Sequence, residues 1–247
     1  MIKATTKSSG RPITTLFLIQ SLDGKITTGD VDERDTDTDF ELIKGVKDPL
    51  RQYYEIEKRT DIFSLNSGRV MKKFGVNTRT KEPSKAPVNF IIIDNKPHLT
   101  AKGVEYMTKW GKFLYLVTTN KNHPAFKLKD ELPIEIIYYK KEVDLADLLR
   151  KMKRQYKARR ITIQTGGTLN TLWVRQGLID NVSIVIAPCL IGGTSTQSLM
   201  GGESLHTFSD LKKIKALRLV KNETLKNSYI HLRYKVINDT VIDDKPL

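Results

Sequence analysis

Three short segments carry residue types able to hold an anion or move a proton. The first runs Ile161-Thr-Ile-Gln-Thr-Gly-Gly-Thr-Leu-Asn170. A β-branched run leads into Gly166 and Gly167, and Thr168 opens a helical pattern carrying Leu169. Glycines let a backbone approach a ligand closely, and the unpaired N–H groups of a helix start attract negative charge, so a pyrophosphate is the natural occupant. A plain strand-to-helix turn would carry the same pattern. The second segment, Ala187-Pro-Cys-Leu-Ile-Gly-Gly193, puts another glycine pair, Gly192 among them, after the next apolar run. In an open α/β sheet the ends of neighbouring strands share one crevice. The third, Gln20-Ser-Leu-Asp-Gly-Lys-Ile26, is a polar loop hinged at glycine, suited to cover a ligand and offer Asp23 or Lys25 to it. Taken alone, it is also an ordinary Asp-Gly turn.

Other chemistries lack their residues. Gly24-Lys25 is not a phosphate loop, because Ile19 stands where the first glycine belongs and Ile26 replaces the Ser or Thr. No G-x-G-x-x-G follows the first strand, and no G-x-S-x-G elbow occurs. His98, His123, His206 and His231 are scattered without metal-ligand spacing and read as loop or sheet-surface residues, so no metal is expected. Cys189, the sole cysteine, cannot close an internal disulfide and reads as a buried, inert thiol.

The elements that must position these segments follow from the apolar pattern. Strands are expected at 13–20, 61–65, 88–94, 113–119, 134–138, 161–164 and 182–187, several of them almost continuously apolar, as in strands covered on both faces. Helical spacing marks 40–57, with Pro49 a candidate break, then a helix opened by Ser67 and stopped by Gly75, 144–156, and 168–176. Two strands at 213–221 and 228–237, joined by a turn at 222–227, form an antiparallel hairpin. The expectation is one α/β domain over 1–237, a mostly parallel mixed sheet with helices on both faces, followed by a loose tail at 238–247. Its 247 residues, 39% of them hydrophobic, suffice for a continuous core. No apolar run approaches the roughly 18 residues of a membrane span, and Met1-Ile-Lys-Ala-Thr-Thr-Lys7 lacks the apolar stretch of a secretory leader, so a cytoplasmic protein is expected. A net charge of +14 favours anionic partners such as phosphorylated metabolites, nucleotides or nucleic acid. The basic residues are dispersed except at 151–160, with no interleaved aromatics for base stacking. Nucleic acid is therefore the less favoured partner.

Taken together and in order, Ser21-Leu-Asp-Gly-Lys-Ile26, Asp61-Ile-Phe-Ser-Leu-Asn-Ser-Gly-Arg69, Gly166-Gly-Thr-Leu169, Gly177-Leu-Ile-Asp180 and Ala187-Pro-x-Leu-Ile-Gly-Gly193 resemble the reductase domain of riboflavin biosynthesis, over roughly residues 11–237. That resemblance implies a dihydrofolate reductase-like fold, a paired-chain (homodimer) assembly and NADPH-dependent reduction. The substrate implied is a 5-amino-6-ribosylamino-pyrimidine 5′-phosphate, whose ribosyl group becomes ribityl. It implies cofactor contacts from Gly68, Arg69, Gly166, Gly167, Thr168, Leu169 and Gly192, and places the adenosine 2′-phosphate near Lys96 and Lys121. Ser21 and Gln164 then face the substrate, with Asp23 and Lys25 the catalytic candidates. The chain departs from the family pattern on the substrate side. Gln164 stands where relatives carry Glu, Val70 where Thr is usual, and Asp35-Thr-Asp-Thr-Asp39 replaces a Ser-x-Trp-Ile-Thr stretch. These changes keep open a reductase of the same fold acting on a pterin or another small carbonyl or imine compound. The +14 charge and the basic cluster at 151–160 keep open a second alternative, a basic nucleic-acid-binding protein without catalysis.

Overall fold

The computed structural model describes residues 10–242. The residues read for a leader (1–7) and the last five of the expected tail (243–247) lie outside the described residues. The chain runs β1 (Ile13–Ser21), α1 (Thr36–Asp39), α2 (Lys47–Glu57), β2 (Phe63–Ser67), α3 (Gly68–Lys73), β3 (Asn89–Ile93), α4 (Ala101–Trp110), β4 (Phe113–Thr118) and β5 (Ile134–Tyr138). It continues through α5 (Leu145–Arg154), β6 (Arg160–Ile163), α6 (Gly167–Arg175), β7 (Asn181–Ala187), β8 (Ala216–Thr224) and β9 (Ile230–Ile237). One sheet orders them β5-β4-β3-β2-β6-β1-β7-β9-β8. The pairs from β5 to β7 are parallel, and β9 and β8 close the sheet antiparallel.

Register decides which residues share a face. Leu16, Ile163, Leu65, Ile91 and Tyr115 align across five strands and form the core beneath α5 and α6, with Trp173 fully buried. The opposite face carries two separate apolar cores. Phe90, Ile92, Leu114 and Leu116 pack under α4. Phe17 and Ile19 pack under α2, where Phe17 stacks on Tyr53 at 5.1 Å. Each fully buried side chain of this size stabilises the fold by roughly 1.5–3 kcal/mol. Between the two cores lie β2 and β6, whose residues on this face are Ser64, Asn66, Thr162 and Gln164. A polar seam therefore runs over the middle strands between α2 and α4.

The expected fold class holds, with local corrections. The 40–57 helix is interrupted before Pro49: a 3-10 turn at Phe40–Leu42 follows α1, Gly45 takes φ +88°, and α2 starts at Lys47. Residue 49 then falls in the first turn, where a missing N–H is harmless. Ser67 does open α3, its hydroxyl accepting from Val70 N at 3.4 Å, and Gly75 at φ +87° ends the turn. Helix α4, capped by Thr100 on Gly103 N, corresponds to none of the elements read from periodicity. The hairpin is shifted along the chain, since 208–213 forms a 3-10 turn and the strands meet at 225–229 through left-handed Asn227 and Ser228. The dense basic stretch is a helix end and its exit. Lys151 pairs with Asp147 at 2.8 Å, Lys153 donates to Arg11 O at 3.1 Å, and Arg160 pairs with Asp61 at 2.8 Å. Cations there also suit the negative end of α5.

Candidate active site

The C-terminal ends of β1, β2, β6 and β7 meet at one edge of the sheet, and each contributes one of the segments singled out above. At the end of β6 the chain turns directly into α6. Gly166 is the N-cap, and it has no side chain to cap the helix. The first amides of α6 thus keep the partial positive charge of a helix start. Gly166 has φ −73° and ψ 161°, an extended backbone, so its glycine is not demanded by handedness. A Cβ there would meet only Gln197 Oε1, at 3.6 Å. Gly167 differs, because a Cβ would lie 2.2 Å from Ser198 O. The second glycine is required by close packing of the loop after β7, the first by nothing among the described residues. Thr168 is exposed at the helix start, whereas Leu169 packs toward the core.

The loops after β1 and β7 are fastened to each other. Leu22 N donates to Cys189 O at 2.9 Å, Ile26 N to Gln197 O at 2.9 Å, and Leu199 N to Gly24 O at 2.9 Å. Asp23 supplies the centre of this clasp: it accepts from Ser21 Oγ at 2.5 Å, Ile191 N at 3.1 Å and Gly192 N at 2.6 Å. The Ser21 hydroxyl and these amides hold the Asp23 carboxyl down at about 2. Lys25 Nζ donates to Gly193 O at 2.7 Å and Thr196 O at 3.0 Å. Gly24, Gly192 and Gly193 all take positive φ, the conformation that lets both loops fold back on themselves. Asn170 completes the junction, donating from Nδ2 to Leu199 O at 3.0 Å. Both catalytic candidates therefore act in this state as clamps on the 191–197 loop.

At the end of β2, Gly68 gives space to Asp94, whose Cγ would be 2.2 Å from a Cβ. Arg69 donates through Nε and Nη2 to Asp32 Oδ1 at 3.0 and 2.8 Å. Lys72 and Lys73 approach the same carboxylate at 3.5 and 3.9 Å. The acid-rich loop thus folds inward: Asp32 lies in a cationic cluster on α3, and Asp39 takes Arg34 at 3.3 Å and the hydroxyl of Thr28.

The polar seam opens onto this same edge. Gln164 accepts from Ser64 Oγ at 2.9 Å and donates from Nε2 to Glu57 Oε1 at 2.5 Å. Burial pushes the Glu57 carboxyl up, partly offset by Gln164. One turn earlier on α2, Tyr54 donates its hydroxyl to Asp37 at 2.8 Å. Burial and the neighbouring Asp35 push Asp37 up to about 6 despite that bond. The seam thus offers two carboxyl groups, Asp37 and Glu57, that burial makes better holders of a proton than their solvated counterparts.

Ser21, Asp23, Lys25, Gly192 and the Gly166–Leu169 turn come together around the clasp; Gln164 sits beside it in the seam, and Gly68 and Arg69 begin the next helix along. Lys96 and Lys121 lie farther toward β4, exposed on neighbouring loops tied by Thr119 N to Asn95 Oδ1 at 3.0 Å. Asp180 of the 177–180 motif lies instead at the opposite edge, where it holds Arg11 at 2.7 Å and the amide of Thr14 at 2.9 Å. Sequence reasoning missed Glu57, Asp37, Tyr54 and Asp32. Only the i,i+3 spacing of Tyr54 and Glu57 was visible, while Tyr54's partner Asp37 lies 17 residues away and Glu57's partner Gln164 lies 107 residues away.

The RibD C-terminal domain family matches residues 12–231. The 2,5-diamino-6-ribosylamino-4(3H)-pyrimidinone 5′-phosphate reductase of Methanothermobacter thermautotrophicus is 24% identical over 217 residues, 84% of this chain and 92% of that protein. The riboflavin biosynthesis protein RibD of Actinobacillus pleuropneumoniae is 25% identical over 236 residues, 92% of this chain and 58% of that protein. Among solved structures, Acinetobacter baumannii RibD superposes with a TM-score of 0.65 at 19% identity, covering 93% of this chain and 59% of that one. The chain thus spans somewhat under two thirds of the RibD proteins but nearly the full length of the Methanothermobacter reductase. With the matched region running from the start of β1 into β9, the chain belongs to the RibD C-terminal domain family.

Proposed function

We propose that this chain is the reductase of riboflavin biosynthesis that converts the ribosyl group of a 5-amino-6-ribosylamino-pyrimidine 5′-phosphate to ribityl, with NADPH as reductant, in the cytoplasm. The observation that carries this reading is the meeting of an uncapped helix start, a glycine with open space before it and a proton-holding polar seam at one sheet edge. A nicotinamide dinucleotide fits these residues. The α6 amides at 166–168 suit its pyrophosphate, and Gln20 Oε1, buried at the end of β1 without a partner among the described residues, suits an amide donor. Lys96 and Lys121 suit an additional phosphate.

When bound, the reduced nicotinamide supplies a hydride. In the overall change C1′ gains that hydride, the C1′–O4′ bond breaks, and O4′ takes a proton to become a hydroxyl. The chain's own part is to hold the reactants in line and to manage that proton. The clasp of Asp23 and Lys25 fixes the loop beside α6. Glu57, fixed by Gln164, and Asp37, fixed by Tyr54, keep protons available in the seam for O4′. Arg69, Lys72 and Lys73 offer charge to a substrate or cofactor phosphate once Asp32 is displaced.

We also assign a homodimer. Supporting it, the outermost strand β8 leaves Leu217, Leu219 and Val220 exposed at 46, 49 and 66%, with one backbone edge unpaired among the described residues. The test of function is NADPH consumption with the deaminated and the diamino pyrimidine ribosyl phosphates, alongside dihydropterin. Turnover of either ribosyl compound with a ribityl product supports the reading. Turnover of the pterin alone, or none despite NADPH binding, overturns it.

A further inference from the structure

Asp94 follows β3, and its side chain is fully buried. Its carboxylate accepts from His98 N at 3.0–3.1 Å, His98 Nδ1 at 2.8 Å, Leu99 N at 3.0 Å and His123 Nε2 at 3.1 Å. His123, also buried, accepts from Ala125 N at Nδ1, 3.1 Å, so the proton of a neutral ring sits on Nε2, facing Asp94. The backbone carbonyl of Asp94 takes the Thr118 hydroxyl at 2.8 Å. On the remaining side Gly68 leaves no room for a Cβ. One carboxylate therefore joins the ends of β2, β3 and β4. Its donors come from 98–99 and 123, in the two segments that carry Lys96 and Lys121. Burial pushes the carboxyl up, but the bonds from His123, Leu99 N and His98 outweigh it, and the group stays ionised.

We propose that Asp94, acting through His123 and the 98–99 amides, is the positioning residue that sets Lys96 and Lys121 as a pair for the cofactor's additional phosphate, and so determines the preference for NADPH over NADH. The inference rests on the proposed cofactor reading. Two exposed lysines on independent loops would have to be ordered when the phosphate arrives. Loops tied in advance to one buried carboxylate avoid that cost, and the saving applies only to a ligand bearing the phosphate. A ligand without the phosphate gains little from the arrangement. Asp94 touches neither reactant, so its effect falls on the ratio of the two affinities rather than on hydride transfer.

The experiment measures dissociation constants for NADPH and NADH by nucleotide fluorescence on five proteins: wild type, Lys96→Ala/Lys121→Ala, Asp94→Asn, His123→Ala and His123→Gln. Melting temperature is recorded for each. The double lysine variant is expected to weaken NADPH by about tenfold and NADH by less than about twofold. Asp94→Asn and His123→Ala should reproduce that selective loss, by about five- to tenfold. His123→Gln, whose amide can still donate to Asp94, should restore most of it. If the lysine variant changes the ratio while folded His123→Ala leaves it at the wild-type value, the positioning role is overturned and the lysine reading survives. If the lysine variant itself leaves the ratio unchanged, both fall. Should Asp94→Asn fail to fold, the two His123 variants decide the question.

Discussion

Replacing Gly166 by valine and, separately, Gly167 by alanine divides the ligand-facing glycine from the packing glycine. At Gly166 the backbone is extended, with φ −73° and ψ 161°, a conformation that suits a β-branched residue. The nearest protein atom to a new Cβ is Gln197 Oε1 at 3.6 Å, an ordinary contact. Losing glycine at an N-cap costs about 1 kcal/mol or less, and the stiffer unfolded chain returns about 0.4–1, so stability should hardly change. The side chain instead occupies the space in front of the α6 amides. Losing one charge-assisted bond from those amides costs about 1.5–3 kcal/mol, or about ten- to a hundredfold in NADPH affinity. At Gly167 the new Cβ would fall 2.2 Å from Ser198 O, so the 198–201 loop must retreat by roughly 1 Å. That overpacking costs about 1–3 kcal/mol and lowers the melting temperature by several degrees, with a secondary loss of affinity. The assay pairs nucleotide fluorescence titration with thermal melting. A folded Gly166→Val protein with wild-type NADPH affinity would refute the placement of the pyrophosphate at α6.

Three further outcomes are expected. Lys25→Ala releases Gly193 O and Thr196 O, and since the same loop packs on the start of α6, kcat/KM should fall at least about tenfold (~1.4 kcal/mol) with some loss of NADPH affinity; steady-state kinetics at wild-type values would limit Lys25 to the loop surface. Asp37 binds a proton more tightly folded than unfolded, with its carboxyl raised from 3.8 to about 6, so the stability tied to that proton is present below about pH 4 and lost as pH rises through about 6. Asp37→Asn should therefore be the more stable protein at about pH 7.5, by up to about 2 kcal/mol, and lose that advantage at about pH 4; a pH-independent difference in urea unfolding would contradict the burial of this carboxyl. Asp32→Ala should tighten binding of inorganic phosphate and of NADPH by up to about fivefold at low salt, because it removes the anion already held by Arg69, Lys72 and Lys73; weaker binding would mean that Asp32 braces Arg69 in its working position.

Much of the architecture was legible from one dimension, because it rests on local rules. Short β-branched apolar runs such as Phe90-Ile-Ile-Ile93 read as strands covered on both faces, and the alternation of such runs with helical spacing points to a parallel sheet. Gly166-Gly167 marks a helix start because the preceding run ends and the next apolar period begins there. The position of the 40–57 break and the register of the last hairpin were not legible. Gly45 and the Asn227–Ser228 turn settle them through left-handed backbone that spacing does not reveal. Tertiary structure alone decided what each polar residue touches. Asp23 and Lys25 meet partners 168 to 171 residues away, Gln164 meets Glu57 across 107, and the acidic loop turns inward onto Arg69 and Tyr54 rather than outward to water. Strand order brings these groups together, and strand order follows from packing the whole apolar surface at once. That is a property of the assembled sheet, which no stretch of the chain contains.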